Sequence, residues 1–105
     1  MAEIIWTEQA LEDIDNIAEF IYKDLFKYAK IQVQLFFDTV ELISNQPEIE
    51  RIVPEIQKKK IRELIVGNYR IVNRIVNTKR IDILTVHNSR RLLTDNPSIK
   101  KYKSR

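Results

Sequence analysis

Apolar residues change their period along the chain, and each change predicts an element. Ile4 and Trp6 alternate with Ile5 in a short run of β-formers, Glu3 to Thr7, which predicts a strand covered on both faces. The period then lengthens. Leu11, Ile14, Ala18, Ile21 and Leu25 recur at steps of three and four, which predicts an amphipathic helix capped by Thr7, with Glu8 near the positive end of its dipole. After a break at 24–27, Ala29, Val33, Phe36, Val40 and Ile43 repeat the rhythm until Asn45-Gln46-Pro47 stops it. Two such helices on a short link form a hairpin whose stripe needs a sheet to lie on.

Residues 48–60 carry no period and read as an irregular basic loop, with Pro54 and the run Lys58-Lys59-Lys60. From Ile61 two β-rich runs, 61–66 and 69–76, flank the only glycine, Gly67. Gly67-Asn68 fits a two-residue turn that needs positive φ at its first central residue. In the register that follows, Arg62 lies opposite the face of Ile61 and Ile65, and Arg70 and Arg74 lie opposite the face of Tyr69, Ile71 and Ile75. An exposed sheet face mixing arginines with Leu64, Val66 and Val72 is expected. A turn at 77–79 leads to a third strand, 80–87, whose strict alternation from Ile83 turns His87 toward the apolar side. Asp95-Asn96-Pro97 breaks the chain again, and 94–105 reads as a basic tail. The order β-α-α-β-β-β predicts a single α+β domain over 1–105, an N-terminal strand and αα-hairpin packed on a mostly antiparallel sheet.

Composition adds exclusions. Without cysteine there is no disulfide frame or thiolate site, and a single histidine disfavours a His/Cys metal cluster, so no metal or other cofactor is expected. The N-terminus lacks the basic and apolar regions of a signal peptide and no stretch is long enough to span a bilayer, so a soluble cytoplasmic protein without membrane partners is expected. The net charge of +3 conceals a polarity along the chain. Residues 1–24 carry a net −6 and residues 25–57 a net −2, whereas 58–105 hold fourteen Lys or Arg against Glu63, Asp82 and Asp95, a net +11. That half suits phosphates or an acidic protein partner.

The stretch Ile61 to Arg91, with Arg62-Glu63-Leu64, Asn68-Tyr69-Arg70-Ile71-Val72 and Val86-His87-Asn88-Ser89-Arg90-Arg91, resembles the RelE/ParE superfamily of bacterial toxin–antitoxin toxins. The resemblance extends from Trp6-Thr7 and Ala10 through Ile52-Val53-Pro54-Glu55 to Leu93. It implies a toxin silenced by a cognate antitoxin whose segment wraps its surface. RelE-like members cut messenger RNA on the ribosome; ParE-like members poison DNA gyrase without obvious catalytic residues.

RNA cleavage without metal needs a base, an acid and fixed cations around the phosphorane. His87 is the one group whose ordinary pKa lies near neutrality, and Arg62 and Arg70 can grip a phosphate bidentately. Lys60, Arg90 and Arg91 add positive charge as substrate-binding candidates. These match places where RelE-like nucleases carry basic residues, which puts ribosome-dependent cleavage first, a gyrase inhibitor second and an inactive toxin-like binding module third. Each candidate has a structural alternative: His87 as a hydrogen-bonded strand end, Arg70 as a cross-sheet partner of Asp82 or Glu63, the lysines as a solvated run. The chain also departs from the nuclease pattern. No aromatic occupies Leu92-Leu93-Thr94-Asp95, Asn73 stands where many relatives have tyrosine, and Glu50 stands where many have glycine. The long αα-hairpin is similar to that of ParE-like members.

Overall fold

In the computed structural model, which describes residues 2–102, Gly67 sits at φ +57° and reverses the chain between β3 (Ile61–Val66) and β4 (Tyr69–Asn77). Val66 pairs directly with Tyr69, so the one residue that takes this φ without a Cβ penalty sets the register of the whole hairpin. Strand β5 (Arg80–Asn88) runs antiparallel to β4, and β1 (Glu3–Trp6) joins β5 in parallel. A two-residue strand β2 (Arg51–Ile52), too short to leave a periodic signal, pairs antiparallel with β3. The mixed sheet has the order β1-β5-β4-β3-β2 and the α+β architecture the sequence predicts.

Helices α1 (Glu8–Tyr22) and α2 (Phe26–Asn45) cover one face. Thr7 caps α1 as expected, its Oγ accepting from the Ala10 N–H at 3.2 Å while donating to the Ile83 carbonyl at 2.7 Å, so the helix start is tied to β5. Asp13 ties the next turn, accepting from the Val86 N–H at 3.0 Å and from the Thr85 hydroxyl. This anchoring rotates α1 slightly from the predicted stripe: Ala10, Ile14 and Ile17 face the sheet, while Leu11 and Leu25 are exposed. With Phe36, Val40 and Ile43 of α2 they enclose Ile71, Ile81, Ile83 and Val86. Tyr69 meets Phe36 edge to face, ring centroids 5.3 Å apart.

The opposite face is not the open surface expected from the sequence. Val53 and Ile56 from the loop, with Leu93, Ile99 and the half-buried Tyr102 from the C-terminal segment, cover Ile61, Val72 and Leu84. Leu64 and Val66 lie on the helix side instead. Over 94–102, where a basic tail was expected, a 3-10 turn (Leu93–Asp95) and a short helix α3 (Pro97–Lys100) fold back; residues 103–105 of that tail lie outside the described residues. Asn96 starts α3, its Oδ1 accepting from the Ser98 N–H at 2.9 Å, and Ile99 is fully buried. Single apolar residues separated by turns cover this face, which is why no periodicity reveals them.

One irregularity decides where the candidate residues point. Val72 pairs with Thr85 but Asn73 pairs with Ile83, leaving Leu84 as an extra residue in β5. The bulge reverses the alternation. Val86 therefore enters the helix-side core, and His87, paired with Arg70, faces the other way. Strict alternation from Ile83 fails at this residue.

Candidate functional site

Arg70 lies on the outer face of the sheet among carboxylates. Its Nη1 and Nη2 grip both oxygens of Glu55, at 2.7 and 2.8 Å, and its Nε donates to Glu63 at 2.6 Å. The second Glu63 oxygen accepts from Arg51 Nε at 2.7 Å, so a fully buried carboxylate is shared by two guanidinium groups. Hydrogen bonds from Arg70 hold the Glu55 carboxyl below its ordinary range, and those same bonds raise Arg70 further above its own. Glu55 reaches Arg70 because the loop turns at Val53, whose carbonyl accepts from Ile56 and Gln57, with Gln57 in the left-handed region at φ 55°. The fork that a phosphate would need is filled by the protein's own acids.

His87 is buried and held at both ring nitrogens. Asn96 Nδ2 donates to Nδ1 at 3.0 Å, which leaves Nε2 as the N–H that donates to the Arg91 carbonyl at 2.9 Å. Asn96 also donates to Thr85 Oγ1 at 3.1 Å, so one amide fastens the C-terminal segment to β5. Beside His87 a cleft of about 440 Å³ opens between α1 and the end of β5, bordered by Asp13, Phe20, Tyr69 and Arg91. The Arg91 side chain is exposed at this rim, and Arg90 is exposed beyond it.

The candidates do not converge. Arg70 and His87 are cross-strand partners on the outer face, with Arg91 nearby. Arg62 lies on the other face, in line with Leu64 and Val66, where its Nε donates to the Lys59 carbonyl at 2.7 Å and its Nη1 to that of Glu50 at 3.5 Å. Lys60 is exposed, its Nζ donating to the Val76 carbonyl at 3.4 Å. It stands five strand positions before Ile65, the partner of Arg70, which is roughly 17 Å along the strand. Thus Arg62 and Arg70 do not form one phosphate grip.

Sequence reasoning missed the residues that hold this region together. Asp13 and Asn96 carry no motif, but each sits beside a helix signal, the capped start of α1 and the Asn-Pro step before α3. Glu50 and Asn73 form a further buried pair through Asn73 Nδ2 and Glu50 Oε2. Burial pushes the Glu50 carboxyl up to about 7, partly offset by the bond from Asn73 and the charge of Arg62. Among the described residues no three His, Cys, Asp or Glu side chains are grouped to hold a metal ion, and no helix is long and apolar enough to cross a membrane.

Comparison with known proteins places the fold. A solved structure described as the chromosomal ParDE TA system from P. aeruginosa superposes with a TM-score of 0.70 at 21% identity, covering 84% of this chain and 96% of that one. No curated protein sequence matches. The profile of the ParE toxin of type II toxin-antitoxin systems, parDE, matches residues 4–93, from the first strand to the start of the segment that carries Asn96. The chain belongs to the ParE toxin family.

Proposed function

We propose that this chain arrests growth by binding DNA gyrase, and that it does so by surface contact rather than by cutting RNA. The observation that carries this reading is the state of His87 and Arg70. The chain's one histidine has both ring nitrogens engaged with Asn96 and Arg91, and the arginine opposite it is held by Glu55 and Glu63. General acid–base cleavage needs a nitrogen within reach of the 2′-hydroxyl and cations free to meet the phosphorane. Inhibition by docking needs neither. Membership of the ParE family supports the same target and, with it, a cognate antitoxin as the silencing partner.

Induced expression of the chain alone in bacteria tests this. Messages sampled by primer extension are expected to stay intact while chromosomal DNA shows altered supercoiling or double-strand breaks. His87→Gln is expected to retain toxicity in proportion to the amount of folded protein. Rapid cleavage of translated messages with undisturbed DNA would overturn the proposal and return His87 to the role of a proton-transfer residue.

A further inference from the structure

Helix α2 carries two apolar stripes, and the fold uses one. Ala29, Val33, Phe36, Val40 and Ile43 face α1 and the sheet. Tyr28, Ile31, Leu35 and Leu42, with Asp38 among them, repeat at steps of three and four on a second line roughly 130° round the helix. This line is exposed: Tyr28 and Ile31 are each 60% accessible, Leu42 53%. Leu25, just before the helix at the tip of the hairpin, is exposed as well. Isolated exposed apolar side chains are ordinary, but a heptad seam over four turns of one helix is a surface that packs against another helix.

We infer that this seam pairs with the same seam of a second copy, antiparallel, in a two-fold symmetric dimer. The assignment rests on how the seam complements itself when reversed. With the dyad between Ile31 and Leu35, Ile31 packs on the partner helix's copy of Leu35. The one charged seam residue, Asp38, then falls opposite the copy of Tyr28. Its Oδ1 accepts from Gln34 Nε2 at 2.8 Å, and the phenolic O–H of that tyrosine is a donor of suitable reach for the other oxygen. Along the flank, Lys27 faces the copy of Glu41 and the two Gln34 side chains meet at the dyad. A parallel arrangement sets Asp38 against the copy of Asp38 inside the seam and gives up the Lys27–Glu41 contact, because each flanking residue then meets Gln32 or Gln46 of the other helix. The seam thus specifies orientation as well as contact. A single helix pair of this length is a small interface, which sets the affinity on the order of 10–100 µM.

The test is sedimentation velocity on the full chain made by cell-free synthesis, from about 1 to 300 µM, with circular dichroism to verify folding. A concentration-dependent monomer–dimer equilibrium is expected. Leu35→Glu, on an exposed position, is expected to keep the melting curve and weaken association by more than about tenfold. Lys27→Glu is expected to weaken it roughly three- to thirtyfold through two like-charge contacts, and the added Glu41→Lys to restore it. A wild-type chain that stays monomeric across the range overturns the dimer and leaves the seam to a helix of a different protein. A dimer unaffected by Leu35→Glu moves the interface elsewhere, and failure of the charge swap to restore association overturns the antiparallel register.

Discussion

Glu50 and Asn73, two positions at which the chain departs from the nuclease pattern, turn out to be each other's partners. Glu50 Oε1 and Asn73 Oδ1 are both buried without a donor. A proton on Oε1 supplies it, closing a reciprocal acid–amide pair and agreeing with a carboxyl raised to about 7 by desolvation. The sign of the linkage follows. The folded-state value lies above the ordinary 4.5, so the folded state holds more protons between the two values. The pair's stabilisation is complete below the lower value and is lost as pH rises through about 7. The loss is at most on the order of 3 kcal/mol. Glu50→Gln keeps the amide pairing at every pH, so its urea midpoint is expected to exceed that of the wild type at about pH 8 and to lose the decline between about pH 5 and 8. An equal decline in both proteins would assign the titration to another group.

Among the elements, those with a period were legible in the sequence and those built from single contacts were not. The two helices, the Gly67 hairpin and strand β5 follow from repeats of three to four or two residues. The C-terminal segment does not, because its hold on the sheet rests on Leu93, Ile99 and the Asn96 amide, three points separated by turns. The bulge at Leu84 was hidden for a similar reason: the extra residue is itself apolar, so the run Ile83-Leu84-Thr85-Val86 reads as uninterrupted strand. That single residue decides the face on which His87 lies. If the segment is structural, Ile99→Ala should cost about 2–5 kcal/mol, read as a drop in melting temperature. A loss below about 0.5 kcal/mol would mean that 94–102 is the loose tail its composition suggests.

Over the whole molecule the charge polarity of the sequence takes on a different meaning. The basic half does supply exposed cations, Lys58 to Lys60, Arg90 and Arg91, but the arginine best placed beside His87 for a phosphate, Arg70, is spent on Glu55 and Glu63. What remains outside is a basic rim around a covered sheet face, together with an apolar helical hairpin. These are features of a protein that works through surfaces. The nuclease reading needed Arg62, Arg70 and His87 to converge, and the register divides them between two faces. The most direct measurement is a supercoiling assay with purified gyrase, relaxed plasmid and the full chain, run beside translating ribosomes carrying a defined message. The account predicts dose-dependent loss of supercoiling with the message left whole. Unimpaired gyrase and a cut message would contradict it.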